Sequence, residues 1–307
     1  MVETIPLMKE GPIAVQAAKH SRPWVGFVPL LVLPVATFGL RNALVPWTFM
    51  WLLAFSIFAG CKWQTWWDVR EIHGANVLRS LGYLLLWPGM DARAFFSLEN
   101  AKIHLQASLW IKASFKVIAG LVLIAIAMRL VYPKYPLGAG WTGMLGIILF
   151  LHFGTFELIS LAWRYAGVRA EPIMCRPFRS ESLAELWGKR WNLGFRTLSH
   201  ALVFRPLQKR FGAAAGISAT FLASGLIHDL VISVPAAGGY GLPTAYFLLQ
   251  GCGVLVERSD SGQRLGMGRG ASGRVWTALI ALGPLCLLFH PWFVRRVILP
   301  FLAALVG

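Results

Sequence analysis

Repeated apolar runs long enough to cross a bilayer set the tightest limit on how this chain can fold. A helix needs about 20 mainly apolar residues to span the hydrocarbon core, where its backbone groups must bond within the helix. These runs predict an all-α polytopic membrane helix bundle of about eight spans, folded as a single domain over residues 1–307. The predicted spans are 24–40, 43–61, 108–131, 139–163, 213–235, 240–257, 274–290 and, as a full or half span, 292–307.

Two further segments need separate interpretations. The apolar stretch 81–90 is too short to cross and ends in Pro88 and Gly89, so we expect a re-entrant or interfacial piece. The first 23 residues lack the basic start, apolar run and small-residue cleavage site of a signal peptide, so we expect the first apolar run to remain as a membrane anchor.

The charge distribution predicts an orientation. Charged residues make up only 14% of the chain, against about 25% in soluble domains, yet the net charge is +16. Cytoplasmic loops of membrane proteins collect Lys and Arg, which explains this excess without nucleic-acid binding. Segment 164–212 holds ten Lys and Arg against three Glu, whereas the turn at 235–240 is uncharged. We therefore expect an integral, multi-pass protein whose N-terminus and segments 62–107, 164–212 and 258–273 are cytoplasmic; Arg295 and Arg296 fit this scheme less well and could snorkel.

The cysteines and histidines do not form a metal-binding pattern. There is no CxxC and no His/Cys cluster with zinc spacing. We therefore expect no metal and no bound cofactor. The cysteines are far apart in sequence, at Cys61, Cys175, Cys252 and Cys286.

Ionisable residues inside predicted spans are costly and are therefore candidates for function. Lys112 and Lys116 are near the cytoplasmic end of their span and can snorkel, so we interpret both as structural. His152 and Glu157 are five residues apart and do not share a helix face. For each we expect a hydrogen bond inside the bundle.

His228 is the most informative of these residues. It lies well inside an apolar helix, and Ser224 and Gly225 are about one turn earlier, so small residues leave room there for a ligand or another helix. One interpretation is a core histidine satisfied by a carbonyl. The other is a general base, because histidine exchanges protons near neutral pH. No GxSxG, Walker A, GxGxxG or HExxH motif is present, so a histidine base would act directly on a substrate hydroxyl.

The octapeptide ELWGKRWN, Glu185 to Asn192, is unusual in such an apolar chain. The sequence here resembles the membrane-bound O-acyltransferases, and in particular their wax-synthase branch, with Leu186 in place of the usual aromatic and Lys189 in place of an arginine. The branch also has an intramembrane histidine about thirty-five residues later, which His228 matches. Weaker similarities are WPGMD at 87–91 and FHPWFVRRVILPF at 289–301, so the resemblance covers about 80–303.

The resemblance implies a bundle with an internal tunnel around His228, and acyl transfer from acyl-CoA, as co-substrate, to a hydrophobic, long-chain or isoprenoid alcohol. His228 would be the general base and Asn192 would position the thioester carbonyl. The residues that would bind substrate are Trp187, Lys189, Arg190, Trp191 and Ser224, with the two cations attracting the phosphates of coenzyme A and the tryptophans at the interface.

Other interpretations stay open. The acceptor hydroxyl could belong to a glycerolipid, a sterol-like alcohol or a secondary metabolite. The octapeptide could be an amphipathic helix that only lies on anionic lipid. A transporter would be expected to show inverted repeats with matched broken helices, and none is visible in the sequence.

Overall fold

The computed structural model describes residues 23–71, 75–98 and 105–306, and in this part of the chain all regular structure is helical. The predicted cytoplasmic N-terminus lies outside the described residues. A 3₁₀ turn, Pro23–Phe27, leads into the first helix. The helices are α1 Val28–Gly39, α2 Pro46–Trp67, α3 Val77–Leu86, α4 Ala92–Phe95, α5 Ala107–Val131, α6 Pro136–Tyr165, α7 Leu183–Glu185, α8 Leu193–Ala236, α9 Leu242–Arg258, α10 Asp260–Arg264, α11 Gly270–Leu288 and α12, residues 291–306.

Four of these helices, α5, α6, α8 and α11, are long and apolar enough to cross a membrane, within the described residues. The all-α membrane architecture is therefore supported, while the count of eight spans stays a prediction. The remaining predicted runs also form helices, namely α1, α2, α9 and α12. The stretch 81–90 contains the end of the ten-residue helix α3 and, from Trp87, four residues without regular structure, which fits a piece that does not cross.

The longest helix, α8, is bent at Gly212. This residue has φ +86° and ψ 171°, a conformation that residues with a side chain rarely adopt. The bend separates an arm at 193–211, whose last residues are mostly exposed, from an arm at 213–236 that packs along α9. One bent helix thus contains both the end of the basic segment 164–212 and His228.

Several helices contain wide turns of π geometry, in which backbone hydrogen bonds join residues five apart instead of four. Such turns are uncommon and occur often at functional sites. Two of them flank the candidate residues: Leu186–Arg190 lies in the octapeptide, and Asp229–Ser233 follows His228 directly.

The ionisable residues singled out in α5 and α6 differ in their contacts. The Lys116 ammonium forms an ion pair with the Glu157 carboxylate, so Lys116 joins two helices rather than only reaching for the bilayer surface. This contact confirms an interior partner for Glu157. His152 instead packs edge-on against Phe156, and its buried Nδ1 has no hydrogen-bond partner in the described part of the chain, so the expected hydrogen bond is not observed.

Candidate active site

The His228 ring is held in one orientation by its own helix. Its Nδ1 lies 2.7 Å from the backbone oxygen of Ser224, and a carbonyl oxygen can only accept a hydrogen bond. The proton of the neutral imidazole is therefore assigned to Nδ1, which leaves a lone pair on Nε2. The contribution of Ser224 seen here is this carbonyl, which orients the ring, while its predicted contact with substrate remains a prediction.

A phenyl ring from α9 covers His228. The ring centroids of His228 and Phe247 are 4.3 Å apart. The two helices approach closely because Gly225 has no side chain: a Cβ atom there would lie 2.7 Å from the Cα of Thr244. The general-base candidate is thus half-buried under an aromatic wall.

Trp187 of the octapeptide continues this wall. Its ring centroid is 5.8 Å from that of Phe247, 6.1 Å from Phe221 and 6.4 Å from Trp191. Its indole N–H donates to Oε1 of Gln250 over 3.3 Å, and Gln250 is itself fully buried on α9. The side chain of Trp187 thus packs among the helices of the bundle, and its predicted place at the membrane interface stays a prediction.

The structure connects the octapeptide with His228 through aromatic rings. The contacts run from Trp191 to Trp187, then to Phe247 and on to His228. Trp191 also contacts Phe153 of α6, with ring centroids 6.2 Å apart. The two motifs singled out from the sequence thus belong to one packed cluster, and Phe247, which joins them, was not identified from the sequence.

Asn192 follows this cluster in a left-handed backbone conformation, with φ +45° and ψ 57°. Its N–H is 3.4 Å from the sulfur of Met174, and its side-chain amide makes no hydrogen bond within the part of the chain that the structure describes. No contact between Asn192 and His228 is observed. The amide is available to a ligand, but Asn is also among the residues that tolerate this backbone conformation best, which gives a second reason for an asparagine here.

The two predicted phosphate-attracting cations differ in their contacts. Arg190 donates to the Glu185 carboxylate over 2.6 Å and reaches the backbone oxygens of Cys175 and Arg176 at 3.5 and 3.3 Å. Burial alone would raise the pKa of Glu185, but the Glu181 N–H and Arg190 hold this pKa below its usual value. Arg190 therefore has a structural contact of its own, and its predicted attraction of the coenzyme A phosphates stays a prediction. Lys189 is exposed and forms no ion pair among the described residues.

This difference predicts separate effects for two variants. We expect Lys189→Ala to weaken acyl-CoA binding and to reduce its salt dependence, because an exposed cation acts through screened, long-range attraction. We expect Arg190→Ala to lower stability, because Glu185 would lose its partner. Binding of a non-hydrolysable acyl-CoA analogue at several salt concentrations, beside thermal unfolding, would measure both. Equal salt slopes for Lys189→Ala and the parent would contradict the role of Lys189.

Two acidic residues that belong to none of the motifs named above, Glu257 and Glu181, connect the start of the octapeptide region to the ends of neighbouring helices. The buried Glu257 carboxylate of α9 accepts from the N–H groups of Leu183 and Ala184, at 2.7 and 3.1 Å. Glu181 pairs with Arg274 of α11 at 2.5 Å, and hydrogen bonds from Arg274 and the Gly270 N–H hold the Glu181 pKa below its usual value. The only sequence signal for Glu257 was an acidic residue at the end of an apolar helix.

Lys62, like Phe247, is a residue that the sequence analysis did not single out. Its side chain is 1% exposed, its ammonium donates to the Gly89 carbonyl over 2.7 Å, and it lies 3.1 Å from the centroid of the Tyr83 ring. The backbone around Gly89 packs on Gly194, two residues beyond Asn192. The WPGMD segment thus packs against the start of α8 and is bonded to α2 through Lys62.

In residues 23–71, 75–98 and 105–306 there is no group of three or more His, Cys, Asp and Glu side chains that could hold a metal ion. The expectation of a reaction without a metal stays a prediction.

Residues 170–249, which contain the octapeptide, Phe247 and His228, match the family described as membrane bound O-acyl transferase family. The resemblance inferred from the sequence is thereby confirmed. The wax-synthase branch is supported by curated relatives from Arabidopsis thaliana. One, named probable long-chain-alcohol O-fatty-acyltransferase 9, is 30% identical over 45% of this chain and 43% of its own length.

Two further relatives from Arabidopsis thaliana match shorter segments. A second, named probable long-chain-alcohol O-fatty-acyltransferase 2, is 35% identical over 30% of this chain and 29% of its own length. A third, named acyl-CoA–sterol O-acyltransferase 1, is 31% identical over 24% of this chain and 25% of its own length. The matches to these three relatives thus span less than half of their lengths.

Proposed function

We propose that this protein is an O-acyltransferase that makes an ester from acyl-CoA and a hydrophobic alcohol, with His228 as general base. The observation that carries the proposal is the His228 geometry. A carbonyl-bound Nδ1 leaves Nε2 as the basic atom, in the segment that matches the acyltransferase family. A core histidine would also bond a carbonyl, but the family match over this segment and the Asn192 amide, which makes no hydrogen bond among the described residues, favour a site.

The reaction needs one base and no acyl-enzyme. Nε2 of His228 takes the hydroxyl proton as the alcohol oxygen attacks the thioester carbon. The Asn192 amide donates to the carbonyl oxygen as negative charge develops on it. When the tetrahedral intermediate collapses, the C–S bond breaks, and the imidazolium returns its proton to the departing thiolate of coenzyme A. The Ser224 carbonyl keeps the ring in place throughout, since its bond to Nδ1–H also suits the imidazolium.

The names of the relatives favour a long-chain alcohol as the acceptor, and the third supports a sterol-like alcohol as the second candidate. A thiol-release assay with purified protein tests the function. We expect free coenzyme A to appear only when a hydrophobic alcohol is added to the acyl-CoA, with an equal amount of ester. A panel of fatty, isoprenoid and sterol alcohols would separate the two candidates. Substrate movement without thiol release in sealed vesicles would instead support a transporter.

We further propose that segment 164–212 faces the cytoplasm, where acyl-CoA is found, and that the turn after α8 faces the other side. The excess of Lys and Arg in that segment supports this orientation. In oriented vesicles of a variant without its native cysteines, a cysteine replacing exposed Lys189 should react with a membrane-impermeant maleimide from the cytoplasmic side alone. A cysteine replacing exposed Tyr240 should react from the opposite side. Reaction of both from one side would overturn the orientation.

A further inference from the structure

The Asp229 carboxylate, next to His228 in the chain, has no part in the proposed reaction, yet it is the most heavily bonded acid of the site. It accepts from the Thr244 hydroxyl, from the Thr244 N–H at 3.0 Å, from the Gly241 N–H at 2.8 Å and from the Ser233 hydroxyl at 2.8 Å. A carboxylate has about four acceptor sites, so these donors occupy it fully. Such a group is suited to hold structure rather than to transfer protons.

Three of the four donors come from the start of α9. The first N–H groups of a helix have no partner within the helix, and the helix dipole favours negative charge at that end. Asp229, carried by α8, supplies both the partner and the charge. The contact therefore fixes the first turn of α9 to the π turn that follows His228.

The position of this first turn sets the position of Phe247. Thr244 and Phe247 are three residues apart and share one face of α9. That face is turned toward α8, because Thr244 bonds Asp229 and Phe247 lies over the His228 ring. If the first turn of α9 shifted, the phenyl ring would move away from the imidazole.

A buried histidine, His290, extends the same network. His290 Nδ1 accepts from the Phe293 N–H at 3.2 Å, so its Nε2 carries the proton and donates to the Ser233 oxygen over 3.3 Å. Ser233 in turn donates to Asp229. The end of α8, the start of α9 and the start of α12 are thus joined through one carboxylate.

We propose that Asp229 is a positioning residue, which clamps the start of α9 to α8 and thereby keeps Phe247 over the general base. The expected effect of losing this clamp on the reaction rate rests on the proposed function. The expected effect on the accessibility of His228 does not. Loss of the clamp should not change the affinity for acyl-CoA, because the octapeptide, and not Asp229, would bind its head group. It should impair the chemical step, because a displacement of about 1 Å near reacting groups can cost about 100-fold in rate.

The test uses the full-length protein and a variant that removes one donor. Thr244→Val is isosteric and deletes only the hydroxyl, Thr244→Ser restores it, and Asp229→Asn removes the charge. Thr220→Val is the matched control, because the Thr220 hydroxyl bonds only the Gly216 carbonyl of its own helix within the described residues. One readout is kcat and KM. The other, independent of activity, is the rate at which diethyl pyrocarbonate modifies His228, followed by mass spectrometry of its peptide.

For Thr244→Val and Asp229→Asn we expect a fall in kcat of roughly 10- to 100-fold, an unchanged KM for acyl-CoA, and faster modification of His228. Thr244→Ser and Thr220→Val should behave like the parent. Unchanged modification of His228 in both Thr244→Val and Asp229→Asn would overturn the clamp, whatever happens to kcat. Faster modification in a protein whose parent transfers no acyl group to any alcohol would support the clamp and reject the proposed function instead.

Discussion

Replacing His228 by alanine is expected to abolish most acyl transfer while the protein remains folded in the membrane. The basic Nε2 would be lost, and general-base catalysis contributes typically about 10²–10⁴-fold to a rate. Steady-state release of coenzyme A in the presence of alcohol measures the change. The KM for acyl-CoA should change little, because no contact of the imidazole with the octapeptide cations is observed.

Two companion variants make this result interpretable. His228→Gln retains a side chain that can donate to the Ser224 carbonyl but is not a base, so it should be as inactive as His228→Ala. His200→Ala removes an exposed histidine of the same helix, which stacks on Phe204, and should retain activity. If His228→Gln transferred acyl groups at the parent rate, the histidine would be a hydrogen-bonded core residue, and the proposed mechanism would fail.

Removing the Asn192 amide should give the second largest loss, confined to the chemical step. One oxyanion donor is worth about 10²–10³ in kcat, or roughly 2.7–4 kcal/mol. The backbone of Asn192 is left-handed, so alanine there would add strain to the loss of the amide. Asn192→Gly is therefore the cleaner variant, since glycine adopts this conformation freely. We expect it to bind an acyl-CoA analogue like the parent while its kcat falls by the stated factor.

The alternative account of Asn192 makes the opposite forecast. If the residue is present only because its backbone must be left-handed, Asn192→Gly should retain full activity and Asn192→Ala should lose stability. Asn192→Asp tolerates the same backbone but has no N–H to donate, so it should match Asn192→Gly if the amide is catalytic. Thermal unfolding of the three variants beside their kcat values would separate the two accounts.

Periodic features of the sequence predicted the fold well, because they depend on local composition. Each predicted apolar run forms a helix, and the helix that includes part of the short stretch 81–90 is only ten residues long. The residue His228 was found because an ionisable group in an apolar run is conspicuous. The membrane-spanning count is harder to predict, since helices such as α2 mix tryptophan with polar residues.

Contacts between distant residues could not be predicted in this way. Arg190 looked like a free cation, because nothing in a basic segment indicates that Glu185 lies five residues back on a wide turn. Lys62 looked like an ordinary end of a span, although it is buried against a carbonyl 27 residues away. Phe247 is one of 20 phenylalanines, and only the packing of α9 on α8 shows which of them covers the histidine.

The π turn at Leu186–Arg190 has a consequence for how this site varies among related chains. A π turn contains one residue more than the α turn it replaces, so deleting a single residue can convert one into the other. Because the wide turn accommodates its extra residue locally, that deletion would leave the backbone beyond it, with Trp191 and Asn192, in nearly its present orientation. Related sequences that keep this chemistry should therefore tolerate a one-residue gap within Leu186–Arg190 better than a gap in a regular α-helix, where the residues beyond it would rotate by about 100°.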